Sequence, residues 1–219
     1  MLWSALFLPD LPLEVYARAW SDEEAARPFA VASGGSRPRI VAANDAAREA
    51  GVKRGQPVAA ALALVPGLAL RDRDAEAEAR SLEAIATFAL SFTSAASLAP
   101  PCAVLAEIGG SLKLFGGPDR LVDAIARGLR ARGHAPRIAV APTPLAALAR
   151  ARTRRHDPVL STEALRAAIA DVPLAALDPD PRALETLAAA GVRTIGAAEA
   201  LPRDGLARRF GGGLVDALD

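Results

Sequence analysis

The stretch from Ala43 to Pro66, ANDAAREAGVKRGQPVAAALALVP, constrains this chain more than any other. Ala46, Ala47 and Ala50 make a thin helix face, Gly51 is a helix stop, and Gly55 is a second break before the apolar run Val58 to Val65. This spacing predicts two short helices joined by a glycine-punctuated turn, with Arg48 on the first. An apolar content of 52% over 219 residues leaves ample material for a core and excludes disorder. Cys102 is the sole cysteine, so no internal disulfide can form, and a reducing, cytoplasmic setting is expected. The N-terminal run MLWSALFLPDLPLEV has no basic lead, carries Pro9 and Pro12, and is too short to span a bilayer. Trp3 to Leu8 reads as a buried strand, and no membrane association is expected.

Further strands are predicted at 28 to 33, 38 to 43, 96 to 98, 102 to 108 and 137 to 141, with the longest helix over Asp74 to Phe92. Gly109-Gly110 marks a turn, Pro118-Asp119 opens a helix, and Pro144 suits the first helical position of another. From His156 onward the texture becomes all-helical, punctuated by Pro158, Pro173, Pro179 and Pro181. The pattern predicts an α/β (α+β) chain built on a ferredoxin-like βαββαβ unit, a mixed sheet backed on one side by two helices. The segment around the two short helices is inserted into it.

Four segments in order resemble the Y-family, or lesion-bypass, DNA polymerases. The Asn44-to-Gly55 helix and turn resemble the fingers, LAEIGGSLKLFGG (105–117) resembles a palm strand and turn, RIAVAPTPLAALARAR (137–152) resembles a palm strand and helix, and GVRTIGAAEALPRDGLARRFG (191–211) resembles the thumb. The resemblance implies a palm at 1–20 and 72–156, inserted fingers at 21–71 and a helical thumb at 157–219. It also implies that the family's little-finger domain is absent, the chain reading as a fragment or a shortened form.

Polymerisation needs two metal ions held by carboxylates from different strands. Aligned on the family, the first-strand positions are Leu8, Pro9 and a displaced Asp10, and the second pair falls on Cys102 and Ala103. The triphosphate-binding Asn-Lys-x-x-x-Lys pattern becomes Thr143-Pro144 and Leu148, and the fingers tyrosine becomes Asp45. Arg48 is the remnant of the nucleotide contacts, or else a structural partner of Glu49 or another local acid. These losses resemble the catalytically inactive ImuB-like branch, which implies a DNA-binding adaptor without metal or other cofactor. Its implied partners are DNA, a sliding clamp, an ImuA-like protein and an error-prone polymerase. The alternative is an active polymerase with displaced ligands, which would require Mg²⁺.

The net charge of +1 is unevenly spread: Lys113 to Arg155 holds ten basic and two acidic residues, ten minus two leaving about +8. That footprint suits phosphate contact, and Arg120, Arg127, Arg130 and Arg132 are spaced to line one helix side. In the thumb, Leu177-Asp178-Pro179-Asp180-Pro181 replaces a glycine-rich hairpin and removes two amide donors. Arg193, Thr194, Arg203, Arg208 and Arg209 are then the expected backbone contacts. His134 and His156 read as surface or capping residues, with no zinc site or nucleophilic triad. No clamp-binding peptide is recognisable before Asp219.

Overall fold

A computed structural model describes residues 1–17 and 20–218. Arg18, Ala19 and Asp219, which the domain reading placed in the first palm segment and the thumb, lie outside the described residues. The chain opens with β1 (Trp3–Phe7) and α1 (Leu11–Ala17). It enters an inserted lobe through α2 (Asp22–Ala26), which starts in a full capping box between Ser21 and Glu24. That lobe holds β2 (Phe29–Ala32), β3 (Ile40–Ala43), α3 (Asp45–Glu49), α4 (Val58–Leu64) and β4 (Ala69–Asp72). Asn44 caps α3, its side chain accepting from the Ala47 amide, while its amide nitrogen donates to the Arg27 carbonyl. Gly51 and Gly55 both take positive φ, as the sequence required of them.

The chain returns through α5 (Ala75–Ala89), β5 (Ala96–Ala99) and β6 (Ala103–Glu107). Gly109-Gly110 begins a single 3₁₀ turn leading into α6 (Leu112–Phe115), so the run after this turn is helical. Then come α7 (Pro118–Arg130), β7 (Arg137–Ala141) and α8 (Pro144–Arg152), both helices starting on the predicted proline. The helical lobe comes next as α9 (Thr162–Ile169), α10 (Pro181–Ala189), α11 (Ile195–Glu199), α12 (Arg203–Phe210) and α13 (Gly212–Leu218).

Strands β5-β6-β1-β7 form one sheet in that order, the ferredoxin-like arrangement. Every neighbour pair in it is antiparallel, so the expected mixed sheet is corrected. The mixed sheet belongs to the inserted lobe, where β2 runs antiparallel to β3 and parallel to β4. β4 was missed because ALRD lies largely exposed at an edge and shows no apolar alternation.

Leu6, Leu8, Val104, Ile138 and Val140 pack on one face of the large sheet against Leu82, Ile85, Leu121, Ile125 and Leu129 of α5 and α7. The opposite face is also partly covered, which corrects the one-sided packing expected. Ala146, Ala147 and Ala151 of α8 lie on Ala5, Ala139 and Ala141, the small side chains allowing close approach. In the helical lobe a comparable close approach falls on Gly196. A Cβ added there would sit 2.9 Å from the Ala170 carbonyl oxygen, whereas one at Gly205 meets nothing within 4 Å. Gly196→Ala is therefore expected to cost about 2 kcal/mol in chemical denaturation, while Gly205→Ala gains about 0.5 kcal/mol from helix propensity.

Candidate functional site

β1, β6 and β7 end together beside the inserted lobe. Phe7 stands in register with Ala103 on one side and Arg137 on the other. One step on, the Leu8 amide donates to the Cys102 carbonyl at 2.8 Å. Leu8 is fully buried in the core beneath α5 and α7, and half-buried Cys102 packs against that same core. Ala103 is buried on the α8 side. Burial pushes the Cys102 thiol above its usual pKa, against the opposing pull of Arg152, Arg54 and Arg73.

Asp10 lies at the turn into α1, its carbonyl accepting the Leu13 and Glu14 amides. Its carboxylate receives Arg48 Nη1 at 3.2 Å. Arg48 also donates to Asp45 at 2.6 Å and to the Ala43 carbonyl at 2.5 Å, so its acid partners are Asp45 and Asp10 and not Glu49. Partial burial pulls the Arg48 pKa down, but the Asp45 and Asp10 carboxylates outweigh it and hold the guanidinium above its ordinary value. Both pairs are substantially exposed, which limits them to well under about 1 kcal/mol each. The arginine thus ties the inserted lobe to the end of β1.

Clefts open on both sides of this tie. One of about 380 Å³ is lined by Pro9, Asp10, Arg48, Lys53 and Arg54. The other, about 350 Å³, has Asp10, Asp45 and Arg130 on its walls together with Glu14 and His134. His134 is not a surface residue: it is 5% exposed, and its Nδ1 lies 2.6 Å from Glu14 Oε2. Glu14 Oε1 also accepts the Ala135 amide at 2.9 Å. His156 is exposed, with Nδ1 3.1 Å from the Ile138 carbonyl. Among the described residues no group of three or more His, Cys, Asp or Glu is placed to hold a metal ion.

The basic stretch is divided by the fold. Arg150 is 2% exposed and donates to the carbonyls of Ala168 and Asp157. Arg152 donates to the Ala176 carbonyl and stands 3.6 Å from Asp178, while Arg155 pairs with Asp171 at 2.6 Å. These three arginines bind α8 to the helical lobe, which removes them from the continuous surface footprint expected. Arg132 lies over the Phe88 ring, its guanidinium carbon 4.0 Å from the centroid. Arg120, Arg127 and Arg130 are exposed along α7.

In the helical lobe, Arg193, Arg208 and Arg209 are exposed. Thr194 is an N-cap, its hydroxyl accepting from Ala197, and Arg203 is half-buried and reaches the Leu218 carbonyl. Those two side chains serve the lobe's own packing. At the 177–181 hairpin, the Asp180 carboxylate accepts the Arg182 and Ala183 amides, so the α10 N-terminus is already occupied by an internal anion. The basic stretch read from the sequence included Arg137 and Arg154 but not Arg54, which lies in the inserted lobe.

Residues 16–151 match the impB/mucB/samB family. The ImuB proteins of two Caulobacter vibrioides strains are each 37% identical to this chain over 170 residues, covering 77% of it and 37% of the relative. The chain thus spans little more than a third of those curated relatives. Among solved structures, an insertion ternary complex of Dbh DNA polymerase superposes with a TM-score of 0.82 at 14% identity. DinB from Sulfolobus solfataricus gives 0.78 at 14% identity, and both matches cover 100% of this chain and 66% of the other.

Proposed function

Since the chain belongs to the impB/mucB/samB family, the UmuC-like domain of Y-family polymerases, we propose that it is a non-catalytic, DNA-binding adaptor in damage-induced translesion synthesis. On this reading, the four-stranded body (1–20 and 72–156) is the palm, the inserted lobe (21–71) the fingers and the helical lobe (157–219) the thumb. The observation that carries the proposal is the Leu8–Cys102 hydrogen bond at the end of the palm sheet. It joins the two strands from which a two-metal polymerase presents its carboxylates, and the side chains there are Leu8, Pro9, Cys102 and Ala103. Asp10, the remaining acid of the first strand, is engaged by Arg48. Leu8 faces a fully apolar core, so a carboxylate at that position would be buried without a partner.

No extension of a primed template is expected with Mg²⁺ or Mn²⁺, and restoring Asp and Glu at positions 102 and 103 leaves it undetectable. Extension that is abolished in Asp10→Ala would instead establish an active polymerase, with Mg²⁺ as its cofactor. The fold shared with Dbh DNA polymerase supports DNA as a ligand here. Exposed Arg193, Arg208 and Arg209 are the contacts we assign, giving weak, sequence-independent binding. Arg208→Ala with Arg209→Ala should flatten the log–log salt slope by about 0.9 for each phosphate no longer neutralised, and an unchanged slope removes these residues from the interface. A sliding clamp, an ImuA-like protein and an error-prone polymerase are the partners this role requires. Among the described residues no helix is long and apolar enough to cross a membrane. A cytoplasmic setting is part of the same proposal.

A further inference from the structure

A cavity of about 460 Å³ lies where α8 of the four-stranded body meets the helical lobe. Apolar side chains from both sides wall it: Leu145 of α8, Leu165 and Ile169 of α9, Ile195 of α11 and Leu218 of α13. That size and lining suit a small molecule, and junctions between lobes are where such cavities commonly form. Arg193, Arg208 and Arg209 do not line it.

Two carboxylates face the same cavity, Glu199 at the end of α11 and Asp216 on α13. The Glu199 side chain is only 15% exposed, yet it accepts no hydrogen bond among the described residues. Its one ionic contact is Arg166 Nε at 3.6 Å, longer than a hydrogen bond, and the Arg166 side chain is 83% exposed. Asp216 is exposed and has neither an ion pair nor a hydrogen bond among the described residues. Arg203, the second cation on the wall, reaches the Leu218 carbonyl at 3.4 Å. A carboxylate held mostly out of water with its acceptor sites unused gains most from a charged donor brought to it. The leucine and isoleucine walls gain in turn from an apolar body.

We propose that this cavity binds a small organic cation, an ammonium group carried on an alkyl chain. Glu199 accepts the ammonium, Asp216 adds attraction from the exposed side, and the apolar walls take the chain. Because α8 supplies one wall and α9, α11 and α13 the others, the ligand bridges the two lobes and stabilises their joint by mass action. The proposal does not rest on the adaptor role, since none of the residues assigned to DNA takes part in it.

The test titrates the full chain in EDTA, which removes divalent cations, with n-hexylammonium, n-butylammonium, hexanoate and hexan-1-ol. Ligand-detected NMR reads binding, and the melting temperature is followed in parallel. Hexylammonium is expected to bind and to raise the melting temperature, with an affinity about tenfold above that of butylammonium because two more methylene groups are buried. Glu199→Gln should weaken hexylammonium about tenfold and Asp216→Asn by a smaller factor, whereas Arg166→Ala removes a competing cation and should tighten it. Glu199→Gln conserves shape and Asp216 is exposed, so both variants should melt like the parent without ligand, and their loss of binding is not a loss of fold. No binding of hexylammonium, equal binding of hexanoate or hexan-1-ol, or an affinity unchanged in Glu199→Gln overturns the proposal.

Discussion

Arg150→Ala is expected to lower stability by about 3 kcal/mol, because it strips a buried guanidinium from the junction between the four-stranded body and the helical lobe. Arg150 donates to the Ala168 carbonyl at 2.9 Å and to the Asp157 carbonyl at 2.6 Å. Removing it leaves both acceptors short of a donor and opens a cavity the size of the side chain. Burial pulls the Arg150 pKa down, with Asp157 offsetting part of that, so the charge is held at a cost that the two carbonyl bonds repay. Arg150→Lys cannot restore both bonds, since a single ammonium does not reproduce the guanidinium fork. Denaturant unfolding reads the loss, and amide exchange over 162–177 should accelerate more than over β1 or β6. Wild-type stability in Arg150→Ala would mean that the helical lobe is held by its apolar contacts alone.

Glu14→Leu should cost about 3 kcal/mol as well, for a different reason. Glu14 and His134 are 7% and 5% exposed, and the glutamate accepts from the Ala135 amide while contacting the His134 ring. Losing it takes the carboxylate away from a buried imidazole and a backbone donor together. Adding His134→Leu removes one of the two groups that lose this carboxylate, so the double variant should be more stable than Glu14→Leu by about 1 kcal/mol or more. If instead the two losses add, Glu14 and His134 are not coupled.

Features that depend on neighbours in the chain were readable from the residues. The Gly51 and Gly55 breaks, the prolines opening α7 and α8, and the apolar strands β1, β6 and β7 all arise from local conformational preferences. α1 escaped notice because Pro12 in its first turn reads as a breaker, although proline is tolerated there. Leu8, Pro9, Cys102 and Ala103 could be aligned as counterparts of carboxylates, but their juxtaposition needed the sheet.

By itself the sequence determined most of the strand and helix order, though not α1 or β4, and the apolar residues at the end of β1. Tertiary structure alone decided which charges meet. Ten cations between Lys113 and Arg155 look equivalent along the chain. In the fold, Arg150, Arg152 and Arg155 are spent on the helical lobe, while Arg137 and Arg154 have no carboxylate within ion-pairing distance among the described residues. Glu14 and His134 meet across 120 residues, and Arg48 reaches Asp10 across 38. The reason is physical: caps, turns and strand propensities act over a few residues, whereas Coulomb attraction and desolvation depend on distance and burial in space.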